Sequence, residues 1–193
     1  MYDEPGVFMA LEESTEDLIT SFASVDFDLG DLVARRQILI DHMYIEKSEI
    51  EETGEYNLEG LFIRLGYAID SISAKRVVLD TIHSLFSAFT NDLILRAELR
   101  RLFRWLKSKN VTAVITAESG ADTLTRHGLE EYLADCVISL EQRVTGHMAG
   151  RRLRIVKYRG SSHGLDEYPF LIDRSGLTIL PVTSLGHGPE GNR

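Results

Sequence analysis

The sequence predicts an α/β fold: a mostly parallel sheet with helices on both faces and an antiparallel C-terminal edge. Three observations carry this. Apolar runs of strand length alternate with stretches of helical period from residue 7 to residue 140. After Gly146 the helical period stops, and strand-like runs follow one another across glycine-containing turns. At 193 residues, 44% of them hydrophobic and 26% charged, the chain fits one domain with a sizeable core and has a soluble globular composition.

The elements follow in order. Val7 to Leu11, after a Pro-Gly turn, is a buried strand. Ser14-Thr-Glu-Asp17 then starts a helix to about Ala23, because a hydroxyl oxygen can accept from the unpaired amides of a first turn. Asp28 to Arg36 predicts a second short helix and Gln37 to Asp41 a strand, followed by an acidic loop to Gly54. Leu58, Leu61, Phe62, Leu65, Ala68 and Ile69 place an amphipathic helix over 58–72, leading into a strand at Arg76–Asp80. The clearest helix is Asp92 to Ser108, with Leu95, Leu99, Leu102, Phe103 and Leu106 on one stripe and Asn110 ending it. Val111–Thr116 is the next strand, Gly128–Ala134 a short helix and Cys136–Leu140 another strand. Arg151–Tyr158, Phe170–Asp173 and Leu177–Pro181 make the antiparallel finish. Residues 1–183 read as one domain and 184–193 as a tail or linker remnant.

Composition excludes several classes. The net charge of −9 argues against a general nucleic-acid-binding surface, although Arg96 to Lys109 is locally basic and Glu46 to Glu59 strongly acidic. The one cysteine, Cys136, lies in an apolar run and is expected buried and free, which fits a reducing cytoplasm. No apolar stretch reaches the ~18–20 residues of a membrane helix, and Met-Tyr-Asp-Glu-Pro-Gly lacks the features of a signal peptide. His42, His83, His127, His147 and His187 have no metal-ligand spacing, and no G-x-S-x-G marks a hydrolase nucleophile.

Three constellations remain. Arg76-Val-Val-Leu-Asp80 has the shape of a Walker B element, a buried strand ending on a carboxylate that helps hold nucleotide-bound Mg²⁺. The alternative is an aspartate that merely begins a turn. Its usual partner, G-x-x-x-x-G-K-[ST], occurs nowhere in the chain, and none of the five lysines follows a glycine. Glu12 and Glu13 sit just past the first strand, at the sheet edge where α/β proteins bind ligands. One could polarise a water for attack on a phosphate, or the pair could simply complement a helix dipole. Thr116 and Glu118 follow the neighbouring strand and fit the same pocket or ordinary loop polarity. Lys157-Tyr-Arg-Gly-Ser-Ser-His-Gly164 sets two cations beside small hydroxyls and a histidine, a surface suited to polyphosphate oxygens or to solvent alone.

Together these residues resemble the KaiC-type branch of the RecA-like ATPases, over roughly residues 3 to 183. Asp3-Glu-Pro-Gly-Val-Phe-Met-Ala-Leu-Glu-Glu13 is similar to that family's strand with paired catalytic glutamates. Lys75-Arg-Val-Val-Leu-Asp-Thr81 is similar to its Walker B strand. Lys157-Tyr-Arg-Gly-Ser-Ser-His163 with Glu167-Tyr-Pro-Phe170 is similar to its signature near the domain end. The resemblance implies a RecA-like P-loop NTPase core and ATP hydrolysis with Mg²⁺ between the subunits of a hexameric ring. By position Glu12 is then the general base with Glu13 beside it, and Asp80 serves the metal. Lys157, Tyr158, Arg159, Ser161 and His163 meet a neighbour's nucleotide with Asp173 nearby, and Ser24 contacts base or ribose.

Full-length relatives carry two such domains, the second autophosphorylating on adjacent hydroxyl residues. Gly128-Leu-Glu-Glu-Tyr-Leu-Ala-Asp-Cys136 has no hydroxyl pair, so the chain resembles the first, ATP-hydrolysing domain. The family's first strand and P-loop are expected upstream of Met1, as in a truncated product or a misplaced start codon. The expectation is an ATP hydrolase by resemblance, inactive as an isolated chain. The alternative is a non-catalytic subunit joining a ring of complete KaiC-like subunits, or of its own copies.

Overall fold

The computed structural model describes residues 4–23, 25–44, 58–86, 89, 91–120, 124–125 and 130–181. The chain divides into two compact units, Met1–Ala134 and Asp135–Arg193, a division that no turn or linker signal announces in the sequence. The expected acidic loop over 45–57 and the tail over 184–193 lie outside the described residues.

The first unit runs β1 (Gly6–Ala10), α1 (Thr15–Phe22), α2 (Leu29–Ala34), β2 (Ile38–His42), α3 (Glu59–Ile72), β3 (Arg76–Asp80), α4 (Ile82–Phe86), α5 (Asp92–Ser108), β4 (Thr112–Ile115) and α6 (Glu130–Leu133). The strands form one sheet in the order β2-β1-β3-β4, and every pairing is parallel. Local chemistry sets the boundaries. The Asp17 amide donates to Ser14 Oγ at 3.1 Å, the Asp31 amide to Asp28 Oδ1 at 2.9 Å, and the Leu93 amide to Asn91 Oδ1 at 2.9 Å. Ser73, with φ 53°, caps α3 in the left-handed conformation, and Asn110, with φ 54°, turns the chain after α5. α4 has five residues, too few to leave a periodic signature in the sequence.

Alternation along the strands places the core. Val7, Met9, Val77 and Leu79 are fully buried and pack with Leu61 and Leu65 of α3 and Leu99 and Leu102 of α5. β1 passes to β2 in one lateral direction, whereas β2 passes to β3 and β3 to β4 in the other. Right-handed crossovers therefore put α1 and α2 on the face opposite α3 and α5. Both α1 and α2 contact β2. At the far side of the sheet Val114 of β4 stays exposed.

The second unit is one antiparallel sheet in the order β5 (Cys136–Thr145), β6 (Met148–Tyr158), β7 (Tyr168–Asp173), β8 (Gly176–Ile179). The antiparallel finish is thus present as a second sheet of its own rather than as an edge of the parallel one. β5 and β6 are longer than the sequence suggested, because charged residues continue both strands, Glu141, Arg143 and Arg152 on one face and Arg151 on the other. Cys136 is a correction. It opens the edge strand β5 opposite the exposed Tyr158, and its thiol is free but exposed rather than buried. The local alternation of an edge strand overrides the apolar run that had suggested burial.

Candidate active-site residues

In open α/β sheets ligands bind where connections diverge, outside the carboxyl ends of the strands. In this sheet the divergence lies between β1 and β3. Ala10 and Asp80, the last residues of these strands, are in register, and the Leu11 amide donates to the Asp80 carbonyl at 2.8 Å. The chain beyond Ala10 is therefore fixed beside the chain beyond Asp80, which brings Glu12 to the segment that starts α4. Ser84 Oγ donates to Glu12 Oε1 at 2.6 Å, and Thr81 Oγ1 donates to the same oxygen at 3.3 Å. Among the described residues Glu12 Oε2 accepts no hydrogen bond.

Asp80 is held from its other side. Thr116, just beyond β4, donates its hydroxyl to Asp80 Oδ1 and its amide to the Leu79 carbonyl at 3.1 Å. The Thr116 carbonyl in turn accepts from the Ile82 amide at 3.1 Å. The carboxyl ends of three parallel strands thus converge on two carboxylates and three hydroxyls. Glu13 is exposed beside Glu12, and Glu118 is exposed after Thr116. The hydroxyls of Thr81 and Ser84 are the groups bonded to Glu12 that sequence reading missed. Their signal was a pair of hydroxyls within one helical turn after a strand-ending aspartate.

Chemically, the cluster offers a carboxylate with one oxygen anchored and one open, suited to accept a proton from water. It also offers hard oxygen donors of the kind Mg²⁺ prefers, and Mg²⁺ typically takes one or two protein carboxylates together with substrate phosphates. The donor set fits Mg²⁺-nucleotide chemistry. No group of three or more His, Cys, Asp or Glu able to hold a metal exists among the described residues, so a dedicated all-protein metal cage is not part of this arrangement.

The remaining candidates lie in the second unit. Lys157 and Tyr158 end β6, and Arg159 follows, its amide donating to the Asp135 carbonyl at 2.7 Å and its Nη1 to Asp135 Oδ1 at 3.2 Å. Gly160 takes φ 76°, and Ser161 Oγ donates to the Ser162 carbonyl at 3.2 Å. A Cβ on Gly164 would fall 2.5 Å from the Tyr168 hydroxyl oxygen, so a larger residue there would have to displace the Tyr168 side chain. Lys157 and Tyr158 at the end of β6 are thus followed at once by the loop that carries Arg159, Ser161 and the half-buried His163. Asp173 is not gathered with them. β7 runs away from that loop, and Asp173 closes the turn into β8, accepting from the Ser175 amide at 2.8 Å and hydroxyl at 2.6 Å. These hydrogen bonds hold its carboxyl below the usual range. Ser24 lies outside the described residues.

The family model described as "ATPase: KaiC" matches residues 1–184. The chain belongs to the KaiC family of ATPases. It is 60% identical over 184 residues to the "Circadian clock protein KaiC2" of Synechocystis sp., covering 95% of this chain and 32% of that protein. It is 35% identical over 186 residues to the "Circadian clock oscillator protein KaiC" of Parathermosynechococcus lividus, covering 95% and 34%. The same protein of Synechococcus elongatus is 35% identical over 186 residues, covering 95% and 36%. The chain thus spans about a third of the length of the curated KaiC relatives it matches. Among the described residues no helix is long and apolar enough to cross a membrane.

Proposed function

We propose that this chain is the water-activating and metal-side part of an ATP-hydrolysing KaiC site, of the kind expected for the first of two tandem domains. The observation that carries the reading is the anchoring of Glu12 by Ser84 and Thr81 beside the Asp80–Thr116 pair, at the switch point of a parallel sheet. Glu12 is the general base. Ser84 and Thr81 fix Oε1 and so set the direction of Oε2, which orients a water and takes its proton as the water attacks the terminal phosphorus. Glu13 adds negative charge beside it. Asp80, oriented by the Thr116 hydroxyl, is the Walker B carboxylate and would hold Mg²⁺. When bound, Mg²⁺ neutralises charge on the phosphoryl oxygens. Hydrolysis yields ADP and inorganic phosphate, and no autokinase step is assigned, because residues 128–136 hold no adjacent hydroxyl pair.

Lys157, Tyr158, Arg159, Ser161 and His163 act in trans, on the nucleotide of the next subunit in a ring, within the cytoplasm. Ser24 contacts the base or ribose, and Asp173, held at the β7–β8 turn away from this loop, is not assigned to the same contact. The exposed Arg159 and half-buried Lys157 beside a glycine-shaped turn support that role, since Arg grips phosphate oxygens in a fork and Lys adds a point charge. The 193 residues hold no G-x-x-x-x-G-K-[ST] motif, so the chain alone is expected to turn over little Mg-ATP.

The same absence favours a second reading, in which the chain is a non-catalytic ring subunit that lends its Lys157–His163 loop. Turnover of Mg-ATP by the chain alone, and by a mixture with a complete KaiC relative, tests both. The first reading expects Glu12→Gln to lower the activity of the mixture. The second expects Glu12→Gln to be silent, while Lys157→Ala with Arg159→Ala abolishes any effect of mixing. Strong turnover by the chain alone that survives Glu12→Gln would sink both.

A further inference from the structure

Helix α5 buries Leu95, Leu99, Leu102 and Leu106 and turns a different chemistry outward. Arg96, Arg100 and Arg104 are exposed and four residues apart, so their side chains leave one helix face at steps of about 6 Å. Among the described residues none of the three pairs with a carboxylate. Arg101, one position round the helix, is bound to Glu59 and Glu98. Among the described residues the ridge makes one side-chain bond, Arg104 Nε donating to the Arg100 carbonyl at 3.3 Å, which satisfies a donor without neutralising the charge. Like charges at this spacing repel, so the ridge disfavours its own helix and attracts an anionic surface. At its N-terminal end the same face carries Leu93, 76% exposed, and the exposed Ala97.

We propose that this ridge docks an acidic amphipathic helix of a partner protein. A helix with Glu or Asp at i, i+4 and i+8 presents carboxylates at the same ~6 Å steps. An apolar residue one turn away would cover Leu93. Two features favour a protein helix over a nucleic acid strand. The net charge of −9 repels an extended polyanion at long range. A phosphate backbone also has no apolar counterpart for Leu93. Opposed charge on the partner would set register and speed encounter more than it adds affinity, so the contact is expected to be salt-sensitive.

The test uses the whole 193-residue chain and a fluorescein-labelled helical peptide with glutamate at every fourth position of one face and leucine beside it. Binding is followed by anisotropy at low and high salt. Arg96→Gln/Arg100→Gln/Arg104→Gln is expected to weaken binding about tenfold, the size set by three exposed ion pairs. It should also flatten the salt dependence while circular dichroism keeps the helical signal. Arg151→Gln/Arg152→Gln, which removes two exposed arginines from β6, should leave binding unchanged. The proposal is overturned if the peptide does not bind at low salt, if both variants lose binding equally, or if a single-stranded DNA oligomer binds the ridge more tightly than the peptide.

Discussion

The parallel sheet of the first unit and the antiparallel sheet of the second make opposite use of their apolar residues. In the first, alternate strand residues vanish under α3 and α5, and Met9, Leu61, Leu65, Val77, Leu79, Leu99 and Leu102 are all but inaccessible. In the second, residues opposite in register share a face, which collects Ile138, Leu140 and Val144 of β5, Leu153 of β6, Phe170 of β7 and Ile179 of β8. Of these only Leu153 and Phe170 are buried, and the rest are half exposed or more. The opposite face is held by charge, with Arg143 bridging Glu141 at 2.7 Å and Glu167 at 2.8 Å. The lesson is that a helix-covered sheet derives its stability from burial, whereas an uncovered sheet keeps its ladder, its turns and weak surface pairs. The candidate water-activating residues stand on the first kind of support and the Lys157–His163 loop on the second.

The sharpest way to break this comparison is a matched truncation. Leu99→Ala should cost about 2–5 kcal/mol in urea denaturation, because it opens a cavity among residues that cannot all collapse. Leu140→Ala, at a residue 54% exposed, should cost less than about 1 kcal/mol. Equal losses would mean that the second sheet is as well supported as the first. Next in size, Ser14→Ala removes the acceptor for the Asp17 amide and should cost about 1 kcal/mol by the same measurement. A neutral result would show that packing of Leu18 alone holds α1, which starts just after the glutamates.

Smaller still is the effect of Arg143→Ala, whose pairs are exposed. A slight drop in melting temperature is expected at low salt and none at high salt, where surface pairs are screened. The smallest effect concerns pH. Hydrogen bonding and charge from Arg143 hold the Glu141 carboxyl below its ordinary value, and the Ser175 donors do the same for Asp173. A carboxyl lowered in the folded state contributes stability above its unfolded value of about 4, and that contribution is lost as pH falls through the folded value. Hydrogen exchange should therefore show protection in β5–β6 and the β7–β8 turn declining below about pH 4, with the α3–α5 core holding. Loss of both regions together would erase the distinction between them.

Much of this was legible from residues alone because the deciding forces are local. Apolar period gave α3 and α5, Ser14 capped the helix it was expected to cap, a short helix followed Asp28, and Arg76–Asp80 was a strand ending on its carboxylate. The Glu12 and Asp80 positions were readable because both follow strand runs, and the left-handed Asn110 ends α5 where a turn-forming residue was read. What composition and period could not supply was register and facing. Which oxygen of Glu12 is tied down, that Ser84 and Thr81 do it, and that Thr116 serves Asp80 all depend on parallel pairing across tens of residues. The exposure of Cys136, the departure of Asp173 from the Lys157 loop and the separation of the antiparallel strands into their own sheet are of the same kind. Sequence determines which residues want burial, caps or turns, since those preferences act over one helical turn or one strand. Only the tertiary structure decides which of them meet, because the order of strands fixes contacts that no local preference encodes.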